Sequence, residues 1–210
     1  MTCCKFCLPN KKDVIYETNS FFVYVGKGII TAGHVMIIPK QHYLVIAEID
    51  NSTFKEYLNL KNRVIKEITK KFEKPFLIEH GVFGQSVPHA HIHLIPASGN
   101  GYNNVNIINE MVLPAIKKLN IPFKKMEIFQ NLKNIYNEDK QYMYFENNDD
   151  KYILRTKGYI KKEIRNDVIY RSFFTFKKNL SGVNGWKDMT DEDIELDNKK
   201  KRETISKLIL

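Results

Sequence analysis

The sequence predicts an α+β fold: an antiparallel sheet with one long helix packed on a face, followed by a C-terminal α/β extension. Three observations carry this. Short runs of β-branched and aromatic residues, separated by Gly, Pro, Asn and Ser clusters, recur through the first half. One long stretch, residues 54–72, repeats its apolar residues at helical spacing. Beyond it lie a second strand-turn-strand signal and a helix whose charges are polarised end to end.

In chain order, residues 14–17 and 21–25 read as two strands joined through Thr18-Asn19-Ser20. Gly26, Gly28 and Gly33 punctuate a loop, and residues 35–38 form a short buried strand stopped by Pro39. From Asn51 or Ser52 as N-cap, the residues Phe54, Tyr57, Leu58, Val64, Ile65, Ile68 and Phe72 mark an amphipathic helix. Residues 76–79 and 90–95 are further strands. In the second half, residues 106–119 read as helix, with Pro114 a kink or boundary. Residues 142–145 and 152–154 flank Asn147-Asn148-Asp149-Asp150, a hairpin signal. Residues 160–177 are mixed, with aromatics at Tyr170, Phe173, Phe174 and Phe176. Residues 190–208 begin with Asp191, Glu192 and Asp193 and end basic, which suits a helix macrodipole.

With 210 residues, 43% of them hydrophobic, the chain can bury a core without covalent staples. No apolar run approaches the ~18–20 residues that span a bilayer, and residues 1–7 lack the charged-then-apolar layout of a signal peptide. A cytoplasmic or nuclear protein with no membrane partner is expected. The net charge of +9, mostly lysine, suits polyphosphate ligands and also admits nucleic acid. All three cysteines fall within residues 3–7. Cys4-x-x-Cys7 reads as a metal or redox motif, and the polar turn after it favours metal if two more ligands exist.

All six histidines lie between residues 34 and 93, which points to a site rather than a scatter. His89, His91 and His93 alternate with Ala90, Ile92 and Leu94, so in a strand the three imidazoles share one face. Burying such a row without partners is costly. It can bind a transition metal, or one imidazole can attack phosphorus while its neighbours hold the oxygens. Just upstream, Gly84-Gln85-Ser86-Val87 supplies a turn able to approach a phosphate and donate hydrogen bonds to it.

The run Pro88-His89-Ala90-His91-Ile92-His93-Leu94-Ile95-Pro96, together with Gly33-His34-Val35-Met36-Ile37-Ile38-Pro39-Lys40-Gln41-His42, resembles the histidine triad (HIT) superfamily. The match covers residues 3–98. The resemblance implies a HIT-like catalytic domain at residues 1–98, with residues 99–210 an extension serving as lid, dimerisation surface or substrate platform. It implies a nucleotide-phosphate hydrolase working through a nucleotidyl-histidine intermediate, on a dinucleoside polyphosphate or nucleoside phosphoramidate. Residue by residue, His91 resembles the nucleophile and His93 the contact to phosphate oxygen or leaving group. Ser86 resembles a hydroxyl that assists departure, His34 a support for the nucleophile, and Gly84, Gln85 and Val87 the substrate-binding turn. Cys4, Cys7, His42 and His89 match the ligands of a structural zinc in zinc-containing members. By the same analogy a homodimer is expected. Gly26 and Ile78 stand where other members carry an acidic residue for ribose and an amide near the phosphate. Glu79 and His80 face substrate or brace the strand, and Arg171 is a basic candidate in the extension. The rival functions are an RNA- or DNA-associated HIT-like binding protein, which the intact triad disfavours, and a nucleotidyltransferase.

Overall fold

The computed structural model describes residues 4–96, 117, 121–126, 130–147, 150–158 and 189–210. Within them the strands are β1 (Val14–Glu17), β2 (Phe21–Tyr24), β3 (Val35–Pro39), β4 (Pro75–Glu79), β5 (Ile92–Pro96), β6 (Phe123–Lys125), β7 (Met143–Asn147) and β8 (Asp150–Leu154). The helices are α1 (Asn51–Lys71), α2 (Gly81–Gly84), α3 (Gln130–Asp139) and α4 (Asp191–Lys207). The strands form one antiparallel sheet in the order β1-β2-β3-β5-β4-β7-β8-β6. α1 carries the chain from β3 to β4, and β5 then inserts between them, pairing Ile37 with Ile92 on one side and Ile78 with His93 on the other. The hairpin β7–β8 continues the sheet from β4, with Leu77 opposite Glu146 and Glu79 opposite Tyr144.

Period-two alternation decides which face each strand side chain serves. Val35, Ile37, Leu77, Ala90, Ile92 and Leu94 enter the main core, where they meet Tyr57, Leu60, Val64 and Ile68 of α1. These four helix positions lie at i, i+3, i+7 and i+11, one stripe of the helix. A second cluster packs Leu132 and Ile135 of α3 against Tyr142, Tyr144 and Ile153. Across the two, Lys61 of α1 and Glu146 of β7 make a buried ion pair at 2.7 Å, and Tyr144 Oη donates to the same carboxylate at 2.6 Å.

Several boundaries differ from the sequence expectation. The cap of α1 is Asp50, not Asn51 or Ser52: its carboxylate accepts from the amides of Ser52 (2.8 Å) and Thr53 (2.9 Å). A carboxylate offers two acceptors and a negative charge at the positive end of the helix, which the amide or hydroxyl does not. The hydroxyls of Ser52 and Thr53, which also donate to it, and after them these amides hold Asp50 well below the usual carboxylate range. β5 begins at Ile92, so of the triad only His93 lies in regular strand, while His89 and His91 sit in the extended run that leads into it. The stretch before the triad opens with the short helix α2, entered at Gly81. Gly81 has φ +58°, and a Cβ there would lie 2.0 Å from the carbonyl oxygen of Tyr142. Only glycine fits. β6 and α3 were not among the expected elements. α4 matches its expectation, capped by Thr190 and Asp193 in a reciprocal pair. The expected helix at 106–119 (Lys117 excepted) and the aromatics at 170–176 with Arg171 lie outside the described residues. No helix among the described residues is long and apolar enough to cross a membrane.

Candidate active site

Four side chains meet where the N-terminal knuckle crosses the end of β3. Cys4, Cys7, His42 and His89 place their ligand atoms all within 4.8 Å of one another. Cys4 Sγ is 3.4 Å and Cys7 Sγ 3.6 Å from His89 Nδ1, and Cys7 Sγ is 3.3 Å from His42 Nδ1. Zinc held tetrahedrally by thiolate and imidazole separates sulfur from nitrogen by about 3.6 Å, so the donor set and its spacing fit that ion. His89 is fully buried, and its Nε2 donates to the carbonyl of Pro39 at 2.8 Å. A carbonyl only accepts, so Nε2 carries the proton and Nδ1 offers its lone pair toward the sulfurs. This second bond is the usual way a ligating imidazole is oriented.

The same logic assigns the proton on His91. Its Nδ1 lies 2.7 Å from the carbonyl oxygen of His89 and donates to it. Nε2 of the neutral ring is then a lone pair directed away from the backbone. Burial pushes the His91 pKa down to about 4, against the pull of the His89 carbonyl, so the ring is neutral at pH 7. Part of that burial comes from Phe6, which stands between the two cysteines. Its ring meets His91 edge-on at 5.1 Å.

His93 also borders His91, at 5.1 Å between ring centres. His93 Nδ1 is 3.0 Å from His34 Nε2, and His34 Nδ1 accepts from the backbone amide of Ile30 at 3.0 Å. An amide only donates. A neutral His34 therefore carries its proton on Nε2 and gives it to His93 Nδ1, which leaves the proton of neutral His93 on Nε2. His80 adds a further ring, 5.4 Å from His93.

The upstream turn runs into this cluster, with the His89 amide bonded to the Val87 carbonyl at 2.8 Å. Gly84 and Gln85 are buried, Val87 is half-buried, and Ser86 is exposed at the bend.

Glu79, left open between substrate and scaffold, is scaffold. It is buried, and its two oxygens accept from the Ile46 amide (2.8 Å) and Tyr142 Oη (2.6 Å). Burial pushes its carboxyl up to about 7, against those two bonds and with help from Glu48. A carboxyl raised in the folded state from its ordinary 4.5 stabilises fully below 4.5. That contribution is lost as pH rises toward 7, a loss of about 3 kcal/mol. Denaturant melts of Glu79→Gln from pH 4.5 to 7.5 are expected to lack this decline. A wild-type profile already flat there counts against a proton held at Glu79.

Residues 8–100 match the family model of the HIT domain. A relative named protein hit, from Bacillus subtilis, is 31% identical over 108 residues, 47% of this chain and 73% of that protein. The chain belongs to the histidine triad family. Two further relatives of this HIT chain carry enzyme names. One is an adenosine 5'-monophosphoramidase of Schizosaccharomyces pombe, 26% identical across 47% of this chain and 77% of its own length. The other is a bis(5'-adenosyl)-triphosphatase of Dictyostelium discoideum, 28% identical across 50% and 73%.

Two members of the HIT site escaped the sequence pattern. Phe6 was visible only as the apolar residue inside the Cys4–Cys7 knuckle. The Ile30 amide carries no side-chain signature at all.

Proposed function

We propose that this HIT chain is a nucleotide-phosphate hydrolase with His91 as its nucleophile. His91 Nε2 attacks the phosphorus of a dinucleoside polyphosphate or nucleoside phosphoramidate. A P–N bond forms and the bond to the leaving group breaks; the leaving group departs hydrogen-bonded to His93 Nε2–H, with Ser86 assisting, and takes its proton from solvent. Water then attacks the nucleotidyl-histidine, the P–N bond breaks, and a nucleoside monophosphate and a proton are released, which restores neutral His91. Dividing one displacement into two is the gain of covalent catalysis. Transfer to an acceptor phosphate differs only in what attacks in the second step. The observation that carries this proposal is the pairing of a backbone-oriented His91 (Nδ1 to His89 O, 2.7 Å) with the His34–His93 couple beside it. Residues 1–98 supply that chemistry in this scheme, and residues 99–210 extend it. The test is intact-protein mass after rapid quenching with diadenosine triphosphate or adenosine 5'-phosphoramidate. An added adenylyl group is expected; turnover of neither substrate and no adduct would overturn the proposal.

We propose also that Cys4, Cys7, His42 and His89 hold a structural zinc. Two thiolates and two imidazoles close a tetrahedral shell, so the ion ties the N-terminus to the triad segment and offers no open position. Elemental analysis is expected to find one zinc per chain, and Cys7→Ser to lower both zinc content and melting temperature. A metal-free preparation with an unchanged melt rejects the site.

A further inference from the structure

We infer that the C-terminal helix belongs to the site's machinery: Asp197 and Thr204 of α4 are positioning residues that hold loop 28–33 and, through it, the proton placement on His34 and His93. The kinetic consequence rests on the proposed nucleotidyl transfer; the geometry does not.

Asp197, Lys200, Lys201 and Thr204 lie at i, i+3, i+4 and i+7, one face of α4. That face meets the loop before β3. Asp197, 3% exposed, accepts from the amides of Gly28 (3.1 Å) and Ile29 (2.8 Å). Thr204, fully buried, accepts from the Gly33 amide at 2.8 Å and donates to the Lys200 carbonyl at 2.8 Å. Lys200 Nζ reaches the Ile30 carbonyl at 3.3 Å, and Lys201 pairs with Asp13 at 3.1 Å. Farther along, Leu208 enters the main core. One helix thus takes three amides and one carbonyl of a loop with no regular structure.

The placement of those bonds matters more than their number. The Ile29–Ile30 peptide carries the amide that orients His34. The peptide before it is held by Asp197 through the Ile29 amide, and the peptide after it by Lys200 through the Ile30 carbonyl. With both neighbours fixed, the Ile30 amide has one direction, toward His34 Nδ1. At the far end of the loop, Thr204 fixes Gly33, immediately before His34 in the chain. Gly33 has φ +85° and packs where a Cβ would lie 2.7 Å from Phe72 and 2.8 Å from Pro96. The loop is therefore pinned on both sides of the residue it presents. If that amide turns away, neutral His34 is free to carry its proton on Nδ1. His93 then receives no proton from it, and the proton on His93 divides between its two nitrogens.

A helix that only stabilised the fold would leave these tautomers alone. Long-range proton–nitrogen spectra of histidine-labelled protein read them directly. Thr204→Val keeps the shape and removes both bonds, and Thr204→Ser keeps the hydroxyl. Asp197→Asn turns one acceptor into a donor facing an amide. For Thr204→Val and Asp197→Asn, His34 is expected to lose its single Nε2–H tautomer. Their kcat on diadenosine triphosphate falls by ~10–100-fold with KM within about twofold, since small displacements of a catalytic group have costs of that size. Thr204→Ser restores both readouts. A folded Thr204→Val with the wild-type tautomer overturns the inference, whatever its rate. Should Asp197→Asn not fold, the Thr204 pair decides alone. If the wild type turns over no nucleotide, the proposed function fails, and the tautomer spectra still decide this inference.

Discussion

His91→Ala is expected to abolish the adenylylated intermediate and lower kcat on diadenosine triphosphate by on the order of 10⁴-fold or more. Removing a nucleophile removes the two-step route itself, and what remains is the rate that binding and the surviving hydrogen-bond donors give to direct attack by water. His93 and its partner His34 survive in the variant, so substrate affinity is expected to change far less than kcat. His91 is 5% exposed beneath Phe6, so its deletion also leaves a small cavity against that ring. Knuckle and core contacts elsewhere are untouched, and folding is expected to persist with zinc bound. An adduct that survives in His91→Ala would put the nucleophile elsewhere among the clustered histidines. Unchanged turnover would dismiss the covalent route.

Lys61→Ala is expected to be the most destabilising single change in the scaffold, by about 3–5 kcal/mol, because it strands Glu146 in the interior. Both side chains are only 8% exposed, and Lys61 Nζ reaches the two carboxylate oxygens at 2.7 and 3.0 Å. For a chain of this length that is a fall of roughly 6–20 °C in melting temperature. The double variant Lys61→Met/Glu146→Gln separates pair from charge. It removes both charges together while the amide oxygen still accepts from Tyr144, so most of the loss is expected to return. Thermal and urea melts of both variants check this. A loss under about 1 kcal/mol in Lys61→Ala would mean that water reaches Glu146 and that the pair is not sealed. The consequence for the site is indirect but definite. β7 borders β4, whose Ile78 is opposite His93, so a weakened β7 loosens the strand behind the triad.

Much of this was legible in the order of the residues. Period-two and helical spacing report which side of an element is apolar, and that is local information. It located β1 to β4, α1, the β7–β8 hairpin and α4 within a residue or two. It separated Ala90, Ile92 and Leu94, which are core, from the imidazoles between them. The Cys4-x-x-Cys7 knuckle and the histidine clustering were equally plain, because ligand chemistry restricts residue types. Caps were less so: Asp50, Asn51 and Ser52 are all good capping residues, and only the backbone geometry chooses Asp50. β6 is only three residues long and exposed, too short to show a period; α3 does place Leu132, Ile135 and Tyr136 at helical spacing, a signal the sequence reading passed over.

Residue order and residue type were enough for most of the α+β elements, for the alternation of three imidazoles with Ala90, Ile92 and Leu94, and for the donor types of a Cys₂His₂ cluster. Tertiary structure alone decided where the protons sit. The Pro39 and His89 carbonyls and the Ile30 amide assign a tautomer to His89, His91 and His34 and, through His34, to His93, and backbone groups are the same whatever the residue. It alone decided that Phe6 covers His91, that β5 lies between β3 and β4, and that Asp197 and Thr204 hold a loop 168 and 171 residues away in sequence. Patterning is set by neighbours along the chain, whereas proton placement and loop anchoring are set by hydrogen bonds between groups that meet only when the chain has folded.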